Sequence, residues 1–365
     1  MILMNDFKAE PEELVRKELE AVERVLRSGW YILGSEVKSF EAGWATRCGV
    51  KHAVGVGNGM DAIEIGLRAL GIGAGDEVIT TPMTAFATVL AIIRAGATPV
   101  LADIDPDTAL LDPDSVRRCL APSTRAVVLV HLYGQVREME RWTALCKQAG
   151  VYLLEDCAQA HMAAWKDKIA GTFGAWGAYS FYPTKNLGAI GDGGAIVTNL
   201  REVADKAGVL RNYGQSERYH HPEQGLNSRL DELQAAILSA RLAWLDAFTK
   251  RRKEIAGMYF SGISNPLVQT MARPLEDENH VYHLYVVLCE ERDRLSAHLR
   301  EQGVASLSHY PVPVHHQKPC KGIKTDPRGL AHAERHAARC LSLPCHPQMS
   351  DDDVRAVTEA VNEFK

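Results

Sequence analysis

"SFYPTKNLGAIGDGG", Ser180 to Gly194, places a single lysine, Lys185, among small and aromatic residues and just ahead of a glycine cluster. No acidic residue follows it until Asp192. Lysines belong on solvated faces, and most single lysines have only that bland role. A lysine held in a dry segment is different: it is an amine with a depressed pKa and a nucleophile toward carbonyls. Which of the two Lys185 is depends on what the rest of the chain brings beside it.

Upstream, short apolar runs alternate with helical patterns from about residue 50 to 160. "DEVITTP", "TPVLADI", "TRAVVLVHLYG" and "VYLLEDC" read as strands. "MDAIEIGLRALGI", "TAFATVLAIIRAG" and "MERWTALCKQAG" read as the helices between them. That alternation predicts a mostly parallel sheet covered by helices on both faces, an α/β fold with ligands at the carboxyl ends of the strands. "GAYSFYP" and "GGAIVTN", on either side of Lys185, extend the same sheet. Residues 11–28 read as a helix stopped by Gly29. Residues 228–262 read as one long helical pattern linking a large domain, 1–245, to a smaller α+β domain, 246–365, onto which the N-terminal helix is free to dock. "HHQKPCKGIKTDPRG", 315–329, reads as a mobile loop.

At 365 residues the chain is long enough for two domains with a sizeable core. Its net charge of −5 argues against a nucleic-acid partner. Eight scattered cysteines without a CxxC pair suggest free thiols in a reducing compartment. The first residues turn charged too early for a signal-peptide core, and no apolar run approaches the roughly 20 residues of a membrane span. A cytoplasmic protein is expected.

Two further groups give Lys185 a chemical context. Asp156 lies at the end of an apolar run, where a carboxylate could hold a proton on the pyridine nitrogen of pyridoxal phosphate (PLP), an aldehyde cofactor that lysines bind. The bland alternative is that Asp156 caps the next helix. "GVGNGMDAIEIGL" is a glycine-rich turn opening a helix, and its free N–H groups at Gly59 and Met60 favour a phosphate. Ser180 can add a hydroxyl. Each signal is weak alone; together they follow the order of a fold-type I PLP enzyme.

From "GNGMDAIEIGLRALGIGAGDEVIT" to "LSLPCHPQMSDDDV", through "GATPVLADIDPDT", "VHLYGQ", "EDCAQAH", "SFYPTKNLGAIGDGGAIVTN", "LRNYGQ", "NSRLDELQAA" and "HYPVPVHHQ", the chain resembles the DegT/DnrJ/EryC1/StrS aminotransferases nearly end to end. The resemblance implies the fold-type I PLP aminotransferase fold and transfer of an amino group from L-glutamate to a dTDP- or UDP-linked keto-deoxysugar, with 2-oxoglutarate as by-product. It implies that Lys185 is the Schiff-base lysine, Asp156 the partner of the pyridine nitrogen, and Gln159 the neighbour of the ring hydroxyl. Gly59, Met60 and Ser180 match the phosphate cradle, and Phe86 joins the cofactor-binding set. Asn227 matches a residue that reaches the phosphate from the other subunit of a homodimer with shared active sites. His309, Tyr310, His315 and Gln317 fall in the sugar-nucleotide loop.

The chain departs from the family where Met60 replaces a usual threonine, Ala85 an aromatic, and Met162 a glycine. Two rival readings are a PLP-dependent sugar dehydratase, against which Lys185 speaks because that branch carries histidine there, and a non-catalytic sensor. No metal is expected: His315, His316 and Cys320 lack zinc-site spacing and a second pair. Trp142, Trp165, Trp176 and Trp244 read as packing residues, as does Cys157.

Overall fold

The apolar runs between residues 50 and 200 become the strands of one large sheet in the computed structural model, which describes all 365 residues. Its first five strands are β1 (His52–Val56), β2 (Glu77–Thr80), β3 (Thr98–Leu101), β4 (Thr124–Val130) and β5 (Tyr152–Asp156). A two-residue hairpin, β6 (Ala164–Trp165) and β7 (Lys168–Ile169), stands apart. Then come β8 (Gly177–Ser180) and β9 (Gly194–Thr198) on either side of the lysine segment. A smaller antiparallel sheet holds β10 (Gln269–Thr270), β11 (Tyr285–Leu288) and β13 (Cys340–Leu343). Between the last two, β12 (Lys324–Thr325) returns to the large sheet.

The large sheet runs β1-β9-β8-β5-β4-β2-β3-β12. Only the pairs made by β9 are antiparallel. Its central strands are buried on both faces, so they read as continuous apolar runs rather than alternating ones. One covering core gathers Phe40, Trp44, Trp142 and Tyr179; the other gathers Ile65, Trp176 and Val203. The register of β4, β5 and β8 sets Val130 and Ala178 beside Asp156, so three parallel strands run side by side to that edge.

The helical pattern of 228–262 is two helices rather than one, Glu232–Leu242 and Leu245–Gly262. The first buries Ala235, Ala236, Ile237 and Leu238 against the helices Glu12–Ser28 and Ser35–Cys48. The second buries Ile255, Ala256 and Tyr259 against the C-terminal helix Asp351–Glu363. A straight helix cannot serve both partners, and the break at Ala243–Trp244 turns the chain between them. Glu12–Ser28 itself packs on Glu232–Leu242, fastened by Arg241 to Glu10 and Glu18. What reaches the smaller sheet's side is the chain start, where Ile2 bridges Val304.

The 315–329 stretch is loop-rich but anchored. It forms two short 3-10 turns, Val314–His316 and Lys318–Cys320, and then β12, which pairs in parallel with β3. Lys324 pairs with Glu77, and the buried Asp326 takes Arg118 at 2.5 Å. These two ion pairs hold the stretch to the large sheet's side of the molecule.

Glu232 joins the helices. Only 2 % exposed, its carboxylate accepts the N–H groups of Gly34, Glu36 and Val37 at 2.8–2.9 Å, capping Ser35–Cys48 from another helix. A carboxylate there satisfies orphan donors and favours the positive end of the helix dipole. Glu232→Ala is expected to cost about 2–3 kcal/mol in urea unfolding, and Glu232→Gln less, because the amide keeps one acceptor oxygen.

Candidate active site

Lys185 lies in the turn after β8, where its backbone N–H donates to Tyr182 at 2.8 Å. The flanks are tight. A Cβ on Gly188 would come within 2.3 Å of the Pro183 carbonyl, and one on Gly194 within 2.4 Å of the Asn58 backbone. Phe181 and residues 186–189 are buried. The Lys185 ammonium has no carboxylate within ion-pairing distance. Burial lowers its pKa to about 8, and the charge of Asp156 works in the opposite direction.

Asp156, 6 % exposed, ends β5. One carboxylate oxygen accepts the Thr88 hydroxyl at 2.8 Å and the other the Ala158 N–H at 3.0 Å. Thr88 lies in the first turn of the helix Phe86–Arg94 and is held by Thr84 at 2.8 Å. No helix follows Asp156, so its local bond makes a turn rather than a helix cap.

Gln159 ties two regions together. Its Oε1 accepts the Tyr133 N–H at 2.6 Å, and its Nε2 donates to the Tyr310 hydroxyl at 3.2 Å. Burial, then Asp156, pushes the Tyr310 phenol up to about 12. The Tyr133 hydroxyl donates to the His309 carbonyl at 2.6 Å, and the His309 ring meets Ser342 at 2.8 Å. His309 and Tyr310 therefore come from the C-terminal part of the chain to the lysine. His315 and Gln317 do not join them: His315 meets Glu334, and the Gln317 side chain makes no hydrogen bond.

Three imidazoles surround the amine. Burial first, and the Lys185 charge second, lower His161 to about 3, His309 to about 4, and His283 well below its ordinary value. All three are neutral at physiological pH, which leaves Lys185 as the titrating group.

At the other end of the site, Asn58 caps the helix Gly59–Ala69 by accepting the Asp61 N–H at 2.8 Å. The N–H groups of Gly59 and Met60 have no partner within the chain. Gly59 lies so close to Ser180 that a Cβ would sit 2.6 Å from the serine Cβ. Phe86 and Tyr310 each pack against the core that holds Met83, and Met60 packs on the core under the helix. Asn227 is exposed; it bridges Asn212 and makes no bond to this cluster. A desolvated amine, a strand-end carboxylate and two free helix-terminal amides against a hydroxyl fit an aldehyde cofactor carrying a basic ring nitrogen and a phosphate.

Sequence reasoning passed over Thr88, Tyr133 and His283. Thr88 looks like one polar residue in an apolar helix. Tyr133 has a signal in "HLYG", where it takes φ 63° before Gly134, a conformation a tyrosine rarely adopts. His283 lies inside "HVYHLYVVLC", His280 to Cys289, which reads as a strand and gives this histidine no signal.

The sequence profile of the DegT/DnrJ/EryC1/StrS aminotransferase family matches residues 12–362. The chain is 44 % identical over 98 % of its length to a dTDP-3-amino-3,4,6-trideoxy-alpha-D-glucose transaminase of Streptomyces venezuelae, of which it covers 95 %. It is 42 % identical over 99 % of its length to a "pleiotropic regulatory protein" of Geobacillus stearothermophilus, of which it covers 98 %. Its fold superposes with a TM-score of 0.96 on the crystal structure of S. venezuelae DesV in complex with a ketimine intermediate, at 43 % identity, covering 100 % of this chain and 98 % of that one. The chain belongs to the DegT/DnrJ/EryC1/StrS aminotransferase family, whose enzymes depend on pyridoxal phosphate.

Proposed function

We propose that this protein moves the amino group of L-glutamate onto the keto carbon of a dTDP- or UDP-linked deoxysugar. The observation that carries this reading is the Lys185 amine, desolvated and unpaired beside Asp156. The transaminases among its relatives support the sugar-nucleotide substrate. Bound pyridoxal phosphate supplies the carbonyl that accepts the amino group and the ring that withdraws electrons from the neighbouring carbon.

The chain's own residues do the rest. Gly59, Met60 and Ser180 hold the phosphate. Asp156 favours a protonated ring nitrogen, and its only partners, Thr88 and Ala158, are donors that keep it in place. Lys185, with a pKa of about 8, is neutral often enough near pH 7–8 to take the proton from the α-carbon of the donor, and then to give one to the sugar carbon. The neutral imidazoles leave that proton to Lys185. Donor and sugar use one pocket in turn, which implies double-displacement kinetics.

The resemblance of Asn227 to a family residue that reaches the phosphate from the other subunit supports a homodimer with shared sites, and its side chain is exposed. Eight free, buried thiols support a cytoplasmic setting, and no helix is long and apolar enough to cross a membrane. The regulatory name of the Geobacillus relative favours a sensor as second reading, but binding alone gives no reason to desolvate Lys185.

The PLP-loaded protein is expected to show a visible absorption band that L-glutamate bleaches and a keto-sugar nucleotide restores. Lys185→Ala is expected to lower turnover by at least about 10²–10⁴-fold. A band indifferent to glutamate would make the protein a sensor.

A second measurement follows Lys185 itself. In the apo-protein its modification by an amine-acylating reagent is expected to rise through about pH 8 rather than 10.5. Because the Asp156 charge raises the Lys185 pKa, Asp156→Asn is expected to move that midpoint lower still. The same change should cut turnover by roughly 10²–10³-fold.

A further inference from the structure

The sequence sets His315, His316 and Cys320 close together and offers no second pair of ligands. The fold rearranges this set. Cys320 turns into the core, and Glu334, from the first turn of the helix Ala331–Arg339, meets the two histidines. The Nε2 atom of His315 lies 3.1 Å from Glu334 Oε1, and that of His316 lies 3.6 Å from the same oxygen. The three ligand atoms lie within 4.8 Å of one another.

Zinc binds histidine nitrogen and carboxylate oxygen at about 2.0–2.1 Å, so neighbouring ligand atoms of a tetrahedral site stand about 3.3 Å apart. The two histidine–carboxylate spacings straddle that edge. Two imidazoles and one carboxylate are also a donor set that borderline divalent cations accept. We propose that His315, His316 and Glu334 form a site for a divalent cation of the Zn²⁺ class, with the remaining position open to water.

The site is partly preformed. The 3-10 turn Val314–His316 is pinned by the Val314 N–H to the Pro82 carbonyl at 3.0 Å. The histidine rings lie 4.1 Å apart between centroids. The thiols do not compete, because all eight are buried, and burial raises Cys320 above its ordinary value. The other grouping of this kind, His131, Glu155 and Cys157, is closed to a cation. Both oxygens of Glu155 are taken by the N–H groups of Gly171, Phe173 and Gly174.

Two features set what the cation does. His315 Nδ1 is buried without a partner, so the site lacks the outer bond that usually orients a ligating histidine, and affinity is about 10–100-fold below that of a supported site. Two residues beyond Glu334, His336 meets the Tyr133 hydroxyl at 2.9 Å, and that hydroxyl holds the His309 carbonyl. A cation would therefore clamp the segment that carries His309 and Tyr310 onto the helix that already braces it. This site does not depend on the role given to Lys185.

An ordinary hydrogen-bonded pair would use the same three side chains without a cation, and metal uptake separates the two. The test is calorimetric titration of the PLP-loaded full chain with Zn²⁺, and with Co²⁺ as a visible probe of tetrahedral geometry. One equivalent is expected to bind. His316→Asn and Glu334→Gln should each weaken binding at least about tenfold, with unchanged unfolding midpoints in the absence of metal. No uptake at millimolar Zn²⁺, or uptake unaltered in both variants, would overturn the site.

Discussion

The half-buried Lys185 has no carboxylate within ion-pairing distance, and Asp156 opposes the desolvation of its amine only through space. A lysine whose pKa is depressed destabilises the fold below about pH 8, and the penalty fades as pH rises toward the ordinary lysine value. The surroundings keep the amine in place despite this penalty. The glycines at 188 and 194 let backbone segments meet where side chains would collide, and neutral imidazoles fill the space that counter-ions would otherwise occupy.

A parallel sheet is what makes such a site economical to assemble. Because β4, β5 and β8 run to the same edge, residues as far apart in sequence as Val130 and Ala178 converge beside Asp156 there. The antiparallel β9 carries the chain back so that Gly194 lies against Asn58, at the mouth of the helix that would hold the phosphate. Gln159 then joins this edge to Tyr310, and the Tyr133 hydroxyl joins it to His309, so that the C-terminal part of the chain contributes its groups through two side chains.

The strands and helices of the large sheet were legible because each is a simple pattern: an apolar run covered on both faces, or a stripe ended by glycine. Asp156, Lys185 and the Gly59 turn were legible because their chemistry is local to a strand end or a helix start. The break at Ala243–Trp244 was not, since nothing in the helical pattern reveals that its two halves pack on different partners. Thr88 and Tyr133 were hidden for a related reason. Their roles are set by Asp156 and Gln159, 68 and 26 residues away in sequence. His315 and Gln317 were matched to the sugar-nucleotide loop by resemblance alone, and within this chain His315 turns to Glu334.

The two-residue β12 bears on a different hazard. Without it, β3 would present a free row of donors and acceptors, the kind of edge on which a second chain can add its own strand. Lys324 and Thr325 cover Val100 and Leu101 with a strand too short and too charged to serve as a template in turn. The ion pairs of Lys324 and Asp326 are what keep that cover shut. Local detachment of residues 324–326 would thus open a route to intermolecular sheet growth while the rest of the domain stayed folded. High salt, which screens the more exposed of those pairs, would favour it.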